Sequence, residues 1–329
     1  MDRQDYIYAS ARIRVFEKKL LKKEQLLRLV QAGSEETFLH YLQETDYGKD
    51  LMNLQRAEDF HEAMDKNWQY NLSEVLEMSK DPEVIELISA KYVFHNYKVL
   101  VKEKILHQDL SALYILVPGM DIDGLRNKLS REEKSEVPGF INEALDDYEK
   151  NHDAQRIDLI LDRAYYEEIL KKALELGDSL FIDFVQYNLD FSNAKALVRL
   201  KAQGLDYEAL EGVFLPGGHI DEESFKRLYK EEPGVILESL GRLDPGSTLK
   251  KAKLAYESTG SLASVERIME DAIMNLIREG RRVTYGPEVL FGYLLAKEKE
   301  IMNLRMIYTS LVAGIAPAKI EERLRDSYV

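Results

Sequence analysis

Residues 94–102 read FHNYKVLVK and residues 191–199 read FSNAKALVR. Both follow the pattern FxNxKxLV with a base after it, and their likeness sets the architecture. A repeat at this distance means that the chain is built from duplicated supersecondary units, each burying its apolar face against its neighbours. A weaker third copy is Asn303, Leu304, Arg305, Met306 and Ile307, and the basic stretch around Arg12 and Arg14 reads as a fourth that lacks the Asn. The likeness continues downstream, where residues 116–123 read LVPGMDID and residues 214–221 read FLPGGHID, at nearly the same distance from their Asn. Pro317, Ile320 and Leu324 echo this faintly after the third copy. Each unit therefore reads as a long helix, a PG turn and a shorter helix, repeating about every hundred residues.

The segments around these motifs are helical by periodicity. Tyr6, Ala9, Ile13, Phe16 and Leu20 recur at spacings of three and four, and the pattern continues through Leu27 and Val30 to a stop at Gly33. Asp81, Pro82 and Glu83 form a helix start, with Asp as cap and Pro in the first turn; Ile85, Ile88, Tyr92 and Val99 mark one face. Asp178 opens a similar helix that ends near Gly204. Gly286 and Pro287 open the last long one, which runs to Gly314. No stretch alternates strictly between apolar and polar, so the expectation is an all-α protein. Its three similar domains would be related by pseudo-threefold symmetry at 1–93, 94–190 and 191–329, with the first optionally completed by the C-terminal helices 300–329.

Composition narrows the function classes. The chain has 329 residues, 45 Lys plus Arg against 59 Asp plus Glu, a formal charge of −14 and no cysteine. Strong acidity argues against nonspecific nucleic-acid binding and against direct adhesion to anionic lipid. The stretch from Arg12 to Lys23, RIRVFEKKLLKK, is a local exception. The absence of cysteine excludes disulfides and thiolate zinc sites. The start, MDRQDYIYASARIR, lacks a signal-peptide core, and no uncharged apolar run reaches the length of a spanning helix. A soluble, unsecreted chain is expected.

Candidate chemistry is sparse. Asn96 and Asn193 lie on apolar helical faces, where an amide must find partners. They have two readings: each ties neighbouring helices of its repeat together, or the repeated Asn96, Lys98, Asn193, Lys195, Arg199, Asn303 and Arg305 line a central opening and touch a partner. Residues 241–248, GRLDPGST, approach the phosphate-binding pattern GxxxxGK[ST] but carry Ser247 in place of the Lys, with no strand before it. The six histidines fall in no metal spacing; His61 and Glu62 begin HExxH without its second His. No catalytic residue, cofactor site or metal site is assigned.

Six stretches taken together carry a resemblance. YASARIRVFEKKLL at 8–21, ETDYG at 44–48, LDRAYYEEIL at 161–170, NAKALVRLKAQG at 193–204, FLPGGHI at 214–220 and the closing KEKEIMNLRMI resemble the C-subunit family of V-type and A-type ATPases (ATP synthases), which includes the eukaryotic d subunit. The match covers nearly the whole chain. The resemblance implies an all-helical, funnel-shaped, non-catalytic rotor protein. Such a protein is a socket on the cytoplasmic face of the membrane proteolipid ring; it receives the central shaft and transmits torque. The basic first helix (Arg12, Arg14, Lys18, Lys19) would then meet an acidic patch on the shaft or ring. The alternative is a helical-repeat interaction scaffold unrelated to rotary ATPases.

Overall fold

The computed structural model describes residues 2–52, 54, 59–204, 212–241 and 248–329. Among these residues there are sixteen α-helices and no strand. The chain divides into two compact units: Met1–Ile85 with Leu240–Val329, and Glu86–Ser239. The first contains α1 (Ile7–Glu17), α2 (Lys23–Val30), α3 (Glu35–Gln43), α4 (Gly48–Leu51) and α5 (Phe60–Met78). The boundary falls near the start of α6 (Pro82–Leu106). The second unit continues with α7 (Ile122–Ser130), α8 (Gly139–Asn151), α9 (Ala154–Leu176), α10 (Ser179–Ala202) and α11 (Glu222–Leu228), and ends within α12 (Pro233–Leu240). The chain then returns to the first unit through α13 (Thr248–Thr259), α14 (Leu262–Arg278), α15 (Pro287–Val312) and α16 (Pro317–Arg323).

Local chemistry accounts for many of the helix ends. The carboxylate of Asp178 accepts the backbone N–H of Leu180 at 2.9 Å and starts α10, and Asp153 does the same for Gln155 at 2.8 Å before α9. Pro82 and Pro287 each stand at the first helical position, where a missing N–H costs nothing. Gly177 ends α9 in the left-handed region, which a Cβ disfavours.

In the first unit α15 is buried nearly all round and is the axis, packed by α1, α2, α3, α5 and α14. Phe60 stacks on Tyr308 with ring centroids 4.4 Å apart, and Phe38 meets both rings. In the second unit α9 packs between α8 and α10. The core joins Leu100 and Val101 of α6 to Ile141 of α8 and to Ile157 and Leu161 of α9.

The periodic segment from Tyr6 to Gly33 does not form one helix. It breaks after α1 and resumes at α2, because the backbone N–H of Leu21, which a continuous helix would give to Glu17, donates instead to the carboxylate of Glu300. Leu20 and Leu21 are both buried at this break.

Four tyrosines of this unit, Tyr6, Tyr47, Tyr293 and Tyr328, resist ionisation because burial penalises the phenolate and nearby carboxylates add to it. Tyr6, whose hydroxyl donates to Asp81 at 2.6 Å, is pushed up to about 12. A group whose folded value is raised contributes stability below its unfolded value of 10.0 and loses it as pH climbs toward the folded one. Alkaline titration should therefore show a set of tyrosines ionising late, together with loss of helical circular dichroism above pH 10. All 19 tyrosines titrating together at the ordinary value would contradict it.

Candidate functional site

The repeated Asn residues make the same construction three times. Asn96, in α6, donates its amide to the carbonyl of Ile115 at 2.7 Å and accepts the N–H of the same residue at 2.8 Å. Asn193, in α10, does this with Leu215 at 2.8 and 2.9 Å. Asn303, in α15, does it with Arg325 at 3.0 and 3.1 Å. All three side chains are buried. Each amide thus clasps both backbone groups of one residue and satisfies a segment that belongs to no helix. Each clasp joins a long helix to a residue 19 or 22 positions further along the chain that lies outside any helix. Ser10 of α1 supplies the fourth, weaker version: its hydroxyl accepts the N–H of Gly286 at 3.1 Å and donates to the carbonyl of Gly286 at 3.5 Å.

The clasp also redefines which downstream residues correspond. In one unit Asp121 caps α7 by accepting the N–H of Gly124 at 2.8 Å, six residues after the clasped Ile115. In the next, Asp221 caps α11 by accepting the N–H of Ser224 at 2.7 Å, six residues after the clasped Leu215. The PG turns lie differently within that frame, three residues after Ile115 but one after Leu215. Structural equivalence therefore runs two residues out of step with the aligned sequences LVPGMDID and FLPGGHID.

The second turn is the tighter one. Gly217 has φ of +109°, and a Cβ on Gly218 would fall 2.2 Å from Oδ1 of buried Asp190. That carboxylate accepts the N–H of Ile220 at 2.9 Å and lies 2.8 Å from Nδ1 of His219, which places the loop against α10. Sequence pattern alone did not reveal Asp190; its signal is an acid on the apolar face of α10.

The basic residue two positions after each Asn is treated less uniformly. Lys98 pairs with Asp162 of α9 at 2.6 Å, and Arg305 pairs with Asp65 of α5 at 2.5 Å. Arg12, in the corresponding place on α1, pairs with Glu74 of α5 at 2.5 Å. Lys195 is half-buried with no ion pair among the described residues, and Arg199 is exposed on the same helix. Lys98, Lys195 and Arg199 belong to the second unit, and Arg12 and Arg305 to the first. On the first helix Arg14 is turned inward, donating to Glu17 at 2.8 Å and to the carbonyl of Val283 at 2.6 Å. Lys19 pairs with Asp46 at 3.1 Å, and Lys18 is exposed.

Sequence pattern did not expose a buried polar cluster on α15. Glu300 accepts from Lys297 at 3.2 Å, from the hydroxyl of Tyr47 at 2.7 Å and from the N–H of Leu21. Lys297 also sits 4.0 Å above the Tyr47 ring. The only sequence signal is KEKE inside an otherwise apolar helix.

Residues 242–247, which hold most of the GRLDPGST stretch, lie outside the described residues. Among the described residues no three or more His, Asp or Glu side chains gather as a metal would require, and no helix is long and apolar enough to cross a membrane. A groove of about 630 Å³ between α8 and α9 is lined by four acidic and three basic side chains, with Arg156 holding Asp147 at 2.8 Å.

Comparison with known proteins gives a consistent result. The model of the family described as ATP synthase (C/AC39) subunit matches residues 9–323. The C subunit of the V-type sodium ATPase of Enterococcus hirae is 24% identical over 96% of this chain and 97% of its own length. The C subunit of the A-type ATP synthase of Methanothermobacter thermautotrophicus is 28% identical over 98% of this chain and 89% of its own. That of Pyrococcus abyssi is 26% identical over 98% of this chain and 90% of its own.

Proposed function

This chain belongs to the ATP synthase (C/AC39) subunit family, and we propose that it serves as the non-catalytic central-stalk subunit of a V-type or A-type rotary ATPase. In this reading it is a socket between the central shaft and the membrane proteolipid ring, carrying torque for ATP-driven ion transport or ATP synthesis. It sits on the cytoplasmic face of the membrane through the complex. The observation that carries the reading is the family match across almost the whole chain, with relatives named as C subunits aligned over nearly all their length.

The clasps give the role a physical basis. A part that transmits torque must not store it as bending of its loops, and loops are ordinarily the soft elements of a helical protein. Here a non-helical residue downstream of each of three long helices is tied back by two hydrogen bonds to one buried amide. Three similar domains, divided near 93 and 190, are the arrangement we propose for these units.

Purification from detergent-solubilised membranes through a tag on this chain tests the reading. The shaft proteins and the proteolipid should co-purify, and membranes lacking the chain should hydrolyse ATP without pumping ions. Recovery of the chain with neither partner would overturn the reading in favour of an unrelated helical scaffold.

A further inference from the structure

The clasp puts α1 in register with the three long helices and makes it the exception among the four. Counted from the clasping residue, the positions two before and five after are Phe94 and Val101 in α6, Phe191 and Val198 in α10, and Ile301 and Tyr308 in α15, all buried. In α1 the same two positions are Tyr8 and Val15, exposed to 73% and 53%, with Ile7 beside them at 52%. Their helical angles place these three within about a third of the circumference, so they form one apolar stripe.

What covers the corresponding stripe elsewhere indicates what belongs here. Phe94 lies under Phe140 of α8 and Tyr165 of α9, with centroids 5.2 and 5.6 Å away. Tyr308 lies under Phe60 of α5 and Phe38 of α3. In both cases helices of the same chain, carrying aromatic rings, fill the face. Past the stripe, Lys18 closes α1 and Lys22 and Lys23 stand at the start of α2, all exposed and without ion pairs among the described residues. Arg12 and Lys19 are already neutralised by Glu74 and Asp46. An apolar stripe with Lys18 at its end and Lys22 and Lys23 next in the chain, none of them ion-paired among the described residues, on a chain of formal charge −14, complements a helix that is apolar on one face and acidic near one end.

We propose that this face of α1 is the docking surface for an acidic amphipathic helix of a neighbouring protein in the assembly, seated as the chain's own helices are seated on α6 and α15. The proposal rests on the rotary-ATPase reading for the identity of the assembly. It adds the surface and the chemistry of the contact.

Photocrosslinking within the intact complex tests it. A benzophenone amino acid at position 8 or 15 should label one protein of the complex, on a peptide with apolar residues at spacings of three and four and at least two Asp or Glu. The same group at Leu254, exposed on α13, should not label that peptide. Labelling of lipid alone, of a basic peptide, or of nothing, in a complex that still contains the chain, would overturn the proposal and leave the rotary reading intact. A chain that co-purifies with no rotor protein would overturn the rotary reading and this proposal with it. Tyr8→Asp combined with Val15→Asp should reduce retention in the complex about tenfold while thermal unfolding of the isolated chain is unchanged. Lys18→Glu, Lys22→Glu and Lys23→Glu together should act in the same direction, most strongly at low salt. Retention of both variants at the level of the unaltered chain would refute the docking surface.

Discussion

Lys297→Met should destabilise the unit built around α15 by about 3 to 5 kcal/mol, the range for breaking a buried ion pair from one side. Lys297 and Glu300 are each only 6% exposed at the side chain, so the carboxylate left behind would have no water to replace the ammonium. It would keep the Tyr47 hydroxyl and the Leu21 N–H, which are two donors but no countercharge. The loss is a large share of the roughly 5 to 15 kcal/mol that holds a typical domain together. Urea unfolding followed by circular dichroism measures it. The diagnostic comparison is the double variant Lys297→Met with Glu300→Gln, which removes both charges and should recover much of the loss, because the amide oxygen can accept the Leu21 N–H while the amide NH2 donates to the Tyr47 hydroxyl oxygen. A single variant within about 1 kcal/mol of the unaltered chain would mean that Glu300 is not isolated by burial as described.

Asn193→Ala should cost about 3 kcal/mol, because it strands the N–H and carbonyl of Leu215 away from water and leaves a small void. Leu215 is itself buried, whereas Ile115 and Arg325 are half-buried, so water can partly replace the amide in the other two clasps. The expected order of loss is Asn193 ahead of Asn96 and Asn303. Asn193→Asp should fail to rescue: it keeps the acceptor for the Leu215 N–H, loses the donor to the Leu215 carbonyl and sets a charge against that oxygen. Equal stability of Asn193→Ala and Asn193→Asp variants with the unaltered chain, measured by thermal unfolding, would show that the clasp contributes nothing.

These two sites differ in how far the sequence discloses them. The clasping asparagines stand out because an amide recurs in FxNxKxLV on apolar helical faces, where its cost must be met. What the amide bonds to is another matter. The matching PG motifs suggest one alignment of the two downstream segments, and the clasps and caps impose another, two residues away. Sequence likeness weighs every position of the motif equally, whereas folding is held by the few atoms that form buried hydrogen bonds. The basic first helix illustrates the same limit: its charge is plain from composition, but the inward turn of Arg14 and the pairing of Arg12 with Glu74 depend on helices that the sequence places far away.

By itself the sequence determined the helical class, several helix starts and stops, the duplicated units and the resemblance to a family. These follow from periodicity, caps and repeats, which act over a few residues or survive as patterns. Only the tertiary structure decided that the first periodic segment breaks at Leu21, that KEKE on α15 is buried, and that the corresponding stripe on α1 is left exposed. Each of these depends on contacts between distant parts of the chain; Tyr47 and Glu300 meet across 253 residues. A local pattern carries no record of such a partner, since it is the packing of whole helices that brings the two groups together.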